Sequence, residues 1–184
     1  MFTIHWMTRL IIFLSLCFTT MACSDYKKEA ILTPDDIWTA NGEYKNFLMK
    51  GQAYTEKNAE ASLLFHTNGE SGYEVVFHNG SIDGSRKTGS LSAIRNLYRS
   101  LAEDEKWFDF QIAVRGKNIA IQINGTDVVC YTEPSNPYRT SEHTQQLLGQ
   151  GNILLKGIKG TTQFRNLSIT PLDENARNEN DTLP

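Results

Sequence analysis

The sequence predicts an all-β protein, a sandwich or barrel of short antiparallel strands. Two observations carry this. FDFQIAVRG alternates Phe108, Phe110, Ile112 and Val114 with Asp109, Gln111, Ala113 and Arg115, and NIAIQING repeats the pattern through Ile119, Ile121 and Ile123. Period-two patterning on both sides of Gly116-Lys117 is a hairpin signature. The second observation is recurrence. NFLMKG, ASLLFH, YEVVFH, VVCY, NILLKG and TTQFRNLSIT each read as a further short strand. Many such strands with little helix point to a sandwich or a barrel. Only QQLLGQ and SAIRNLYRSL have helical character, each for a turn or two.

The N-terminus is a different kind of segment. MFTIHWMTR ends in one positive charge, and LIIFLSLCFTTMA is apolar but too short to span a bilayer. These are the n- and h-regions of a secretory signal. Cys23 follows at once in TMAC, which resembles a bacterial lipoprotein signal over residues 1–22, with Cys23 as the lipidated residue and a lipid anchor as the only membrane contact. The expected location is the bacterial cell envelope. SDYKKEA is too polar to pack, so residues 23–31 read as a tether, 32–173 as one domain and 174–184 as a disordered tail. Of the three cysteines, Cys17 leaves with the signal, so Cys130 has no partner for an intrachain disulfide and reads as a small apolar filler of its strand. The net charge of −3 gives no pull toward nucleic acid.

One hairpin gives a residue-level expectation. ASLLFH and GYEVVFH flank Asn68–Gly72, and matching Ala61, Leu63 and Phe65 with Tyr73, Val75 and Phe77 fixes the parity of the register. The favoured register puts His66 about opposite Glu74, making them a candidate acid–base pair. His78 then lies about 13 Å along the sheet, too far to share a metal with His66. No dense His and carboxylate cluster has metal-ligand spacing. The cofactor is left open, with a divalent metal among the options.

Between strands lies NGSIDGSRKTGSLSAIRNLYRS, a long excursion with Arg86, Lys87, Arg95 and Arg99 and no acidic residue between the basic ones. It is not a phosphate loop, because Arg86 rather than Gly precedes Lys87-Thr88. Its glycines allow sharp turning. Its arginines and lysine read either as donors toward a ligand or as partners of surface carboxylates.

In order, GYEV, KTGSL, KWFDFQIAVRGKNIAIQINGTDVVCYTEP and GNILLKGIKGTTQFRNLSITPL resemble the DUF1080 family, also called the 3-keto-disaccharide hydrolase or 3-keto-glucoside 1,2-lyase/3-keto-2-hydroxy-glucal hydratase domain, from about Phe47 to Leu172. The resemblance implies a concanavalin-like jelly-roll β-sandwich and an oligosaccharide or keto-sugar ligand. It implies elimination chemistry, in which the C2 proton is removed, the C1 substituent leaves and water adds. On that footing Glu74 and His66 are the candidate base and acid. Lys87 or Arg95 would stabilise the enolate, and Arg86, Ser90, Arg95 and Tyr98 would contact substrate. Trp38, Tyr98, Trp107 and Tyr138 fall outside the core phase. Tyr98 is the preferred sugar contact, and Trp107 reads as packed at a sandwich corner. YTEPSNPYRTSEH, stiffened by Pro134 and Pro137, carries Glu133, Arg139 and His143 either along the same groove or across a sandwich edge. Four positions depart from the family pattern. Val76 stands where Gln is usual, Cys130 where Asp is, and Lys156 and Ile158 replace the Gln and His of a Leu-Gln-x-His pattern. These departures sustain an alternative, a non-catalytic carbohydrate-binding lipoprotein on the same sandwich.

Overall fold

The structure is a computed structural model that describes residues 27–67, 71–80, 84 and 86–173. Cys23, the signal segment and the tail lie outside the described residues. The described residues form ten strands and no helix. They are β1 (Ala30–Leu32), β2 (Ile37–Tyr44), β3 (Phe47–Thr55), β4 (Glu60–Thr67), β5 (Tyr73–Phe77), β6 (Phe108–Arg115), β7 (Asn118–Ile123), β8 (Thr126–Thr132), β9 (Gly151–Lys159) and β10 (Thr162–Pro171). A six-stranded sheet in the order β1-β10-β3-β6-β7-β8 packs on a four-stranded sheet in the order β2-β9-β4-β5. Every pairing is antiparallel, the jelly-roll sandwich expected.

Alternation explains the layering. In β6, Phe108, Phe110, Ile112 and Val114 point inward while Asp109 and Gln111 face out, and β4 and β5 bury Ala61, Leu63, Phe65, Tyr73, Val75 and Phe77 completely. The core between the sheets is aromatic. Phe77 meets Phe110 and Phe164 edge-on at 5.1 and 5.2 Å, and Phe65 stacks on Tyr73 at 5.3 Å. Such pairs contribute about 1 kcal/mol each beyond the area they bury.

Some expectations are corrected. The two segments of helical character, 92–101 and 145–150, are turns and irregular chain. Ala30 and Ile31, read as the end of the tether, pair with Phe164 and Gln163 of β10. The indole of Trp38 is core, with its N–H donating to the Lys27 carbonyl at 2.9 Å. Cys130 is exposed rather than a filler, because β8 is an edge strand whose inward positions are taken by its neighbours.

The hairpin register differs by two residues from the one favoured above. Phe65 opposes Tyr73, as the parity requires, but Leu64 rather than His66 opposes Glu74. Two glycines cause this. A Cβ at Gly72 would lie 2.6 Å from the Phe65 carbonyl oxygen, and one at Gly151 would lie 2.7 Å from the Thr67 carbonyl oxygen. Between them His66 turns into the left-handed region at φ 51°, at a break in register between β4 and β9. Its ring therefore leaves the sheet face that Glu74 occupies.

Candidate functional site

The outer face of the four-stranded sheet carries a groove of ≈ 460 Å³. Alternation places Ser62 and Leu64 of β4, Glu74 of β5 and Leu154 and Lys156 of β9 along its floor. Ile37, Asp35 and Ile158 bound one end, and Glu142, His143 and Gln146 wall the other. Gly157 keeps that floor close to the turn that precedes β2. A Cβ there would lie 2.0 Å from the Thr33 carbonyl oxygen, and its N–H donates to the Asp36 carbonyl at 2.9 Å.

The wall belongs to the loop between β8 and β9, which a buried polar cluster holds in place. The phenol of Tyr73 donates to the Glu133 carboxylate, which also accepts the Leu148 N–H at 3.0 Å. Arg139 donates to the Tyr73 hydroxyl at 2.8 Å and to the Gln146 carbonyl at 2.7 Å, and lies 3.5 Å from Glu133. Burial, then the Glu133 carboxylate, pushes the Tyr73 phenol far above its ordinary range, so it stays a neutral phenol that donates to Glu133 while accepting from Arg139. His66 serves the same loop. Its Nδ1 accepts the Gly149 N–H at 3.1 Å, which leaves Nε2–H to donate to the Lys45 carbonyl at 2.9 Å. Desolvation lowers its pKa, so the neutral ring is the form the fold keeps.

Of the candidate residues, the groove takes Glu74 and leaves the rest outside its lining. Arg86 touches it through Glu74, donating to Oε2 at 3.4 Å while lying 4.0 Å from Glu60. Lys87 is buried and donates to the Gly80 carbonyl at 2.5 Å. Ser90 is fully buried, and its Oγ accepts the Leu97 N–H at 2.9 Å. Arg95 closes a tight turn with Leu91 through backbone bonds of 2.8 and 3.1 Å, and Tyr98 is 77% exposed. The basic excursion is thus an added edge to β5. Gly89 N–H donates to the Val76 carbonyl, Val76 N–H to the Ser90 carbonyl and Ser92 N–H to the Glu74 carbonyl, at 2.9, 3.1 and 2.9 Å. It seals Val76, one of the departing positions, in a fully buried site.

Residues missed from the sequence as site candidates are Glu142, Gln146 and Lys156, and His143 had only a provisional place in a loop. His143 Nδ1 shares a hydrogen bond of 2.8 Å with Thr140 Oγ1, and the residue lines the groove. The Lys156 ammonium has no ion pair among the described residues. Among the described residues no group of three or more His, Cys, Asp or Glu is placed to hold a metal ion.

Residues 27–170 match the 3-keto-alpha-glucoside-1,2-lyase-like domain. The chain belongs to this family. Glu74 therefore sits in the groove at a position where the resemblance expects a glutamate, and Lys156 and Ile158 line it where the resemblance expects Gln and His. No curated protein matches the chain significantly. Two candidate glycosyl hydrolases of Parabacteroides distasonis ATCC 8503 share its fold with TM-scores of 0.66 at 14% and 17% identity. The first comparison covers 77% of both chains, the second 79% of this chain and 88% of the other. A carbohydrate binding module of Bacillus subtilis is similar at a TM-score of 0.52 and 10% identity, over 79% of this chain and 96% of the module. At such identities the likeness establishes the fold.

Proposed function

We propose that the protein is an exported lipoprotein, anchored through Cys23, that cleaves 3-keto-glycosides in the groove on the four-stranded sheet. The observation that carries this reading is the meeting of Glu74, Lys156, Glu142 and His143 around one sugar-sized hollow in a chain of a 3-keto-glucoside lyase-like family. A ketone at C3 acidifies the C2–H bond. The Glu74 carboxylate, oriented by Arg86, takes that proton, and the C2–H electron pair forms a C1=C2 double bond as the C1–O bond breaks. Lys156 offers its positive charge to the enolate oxygen that develops at C3. His143, through the ring nitrogen that Thr140 does not hold, supplies a proton to the departing oxygen. Water then adds across C1=C2, so the net change is hydrolysis.

The second reading, a carbohydrate-binding protein without turnover, is favoured by one feature. The side chains at 156 and 158 are not those the resemblance leads one to expect, and Ile158 offers neither acid nor base.

The test is incubation of the purified protein with a 3-keto-disaccharide and with its unoxidised parent, followed by NMR, with and without chelator. Cleavage of the keto sugar that falls at least about tenfold in Glu74→Gln supports elimination. Chelator sensitivity would add a metal to the chemistry. Shifts on titration with neither sugar cleaved would replace the enzyme by the binding protein.

A further inference from the structure

The groove does not stop at its loop wall. On the far side of Glu142, His143 and Gln146 lies a second hollow of ≈ 400 Å³, closed by Ala93 from the basic excursion and by Tyr138. The same three side chains line both hollows. A ligand with two linked rings would therefore have its linking atom beside His143.

Two features of the second hollow point to a sugar ring. Tyr138 is 87% exposed, yet its backbone is fixed, because its carbonyl accepts from Arg139 at 3.0 Å and Arg139 is tied to Tyr73 and Gln146. A large ring left in water on an anchored stretch is a ready platform for the apolar face of a pyranose, since little freedom is lost when a ligand covers it. Gln146 is 4% exposed, its Nε2 donates to the Ser92 carbonyl at 3.4 Å, and its Oε1 has no partner among the described residues. A buried acceptor without a donor carries a free-energy penalty that an arriving hydroxyl would relieve after a small rotation of the amide.

We infer that this second hollow is the leaving-group subsite, where Tyr138 stacks on the sugar attached at C1 and Gln146 accepts one of its hydroxyls. This rests on the functional reading above and adds to it the residues of this chain that would hold the leaving sugar, Tyr138 and Gln146.

The experiment compares 3-keto-maltose with methyl 3-keto-α-glucoside, by turnover or, where turnover is absent, by titration. In the wild type the disaccharide form should have a KM or Kd about tenfold lower, the size of one well-placed stacking contact. Tyr138→Ala should raise the disaccharide value about tenfold and leave the methyl glycoside within about twofold, while Tyr138→Phe keeps the preference. Equal effects on both sugars, or none, in a wild type that still handles both would overturn the subsite and leave the functional reading standing. A wild type that neither binds nor cleaves either sugar would overturn both. Far-ultraviolet circular dichroism of the variants checks that the fold is intact, as the exposure of Tyr138 leads one to expect.

Discussion

The basic excursion of residues 79–100 and the loop of residues 133–150 make an instructive pair. Both are long, both carry charge, and both border the same sheet face. The excursion spends its polar groups on itself and on β5. Lys87 goes to the Gly80 carbonyl, Ser90 to the Leu97 N–H, Arg86 to Glu74 and Glu60. The other loop concentrates its internal bonding in Glu133 and Arg139, against Tyr73, and so leaves Glu142 and His143 facing the groove. A site needs polar groups that the fold does not already satisfy. Charge density alone does not reveal them.

The sharpest way to break this contrast is to cut the second loop's anchor. Glu133→Ala leaves the buried Tyr73 hydroxyl without its acceptor and Arg139 without its carboxylate, a loss of about 3 kcal/mol. Urea unfolding should show it, with sugar handling lost even in the folded fraction. Unchanged binding would detach the loop from the site. Next in size is Gly89→Ala in the excursion. Gly89 has φ +89°, and a Cβ there would lie 2.7 Å from Val128 Cγ2. Strain and overpacking together should cost about 2 kcal/mol with kcat nearly unaltered in the folded protein. Lys87→Met is milder, at about 1 kcal/mol, with turnover within about threefold of wild type. A hundredfold fall would return Lys87 to the chemistry.

The smallest effect is a pH dependence. The folded state lowers the His66 pKa, chiefly by burial. The unfolded chain therefore protonates first as pH falls. The contribution is complete above the ordinary imidazole pKa of about 6.5 and declines below it. Stability should fall less in His66→Gln than in wild type between about pH 7 and pH 5. Parallel curves would mean His66 titrates equally in both states.

The same contrast shows what was legible beforehand. Strands β4 to β7 follow from period-two alternation, since each declares an inner face by its own side chains, and β3, β8, β9 and β10 were legible as further short strands. The β2 segment IWTANGEY hides its strand behind Asn41-Gly42, a turn signal absorbed by a shift of register after Ala40. Glu74 was legible because strand phase alone puts it on the outer face. His66 was not. Its direction depends on Gly72 and Gly151, and Gly151 lies in a strand that is distant in the sequence. Glu142 and Gln146 lie in aperiodic chain whose exposure is decided by Tyr73. Lys156 was visible as a departure from the family pattern, and only the sheet order, with β4 between β9 and β5, placed it in the same groove as Glu74.

On the proposed function, sugar is handled in the groove beneath the second loop rather than on the basic excursion. Backbone NMR of the purified protein, titrated with a 3-keto-disaccharide in a Glu74→Gln background that slows turnover, tests it directly. Shifts should concentrate at Glu142, His143, Gln146, Lys156 and Ser62, with Arg95 to Arg99 unmoved. Shifts centred on Arg95, Tyr98 and Arg99, with the loop wall silent, would contradict it.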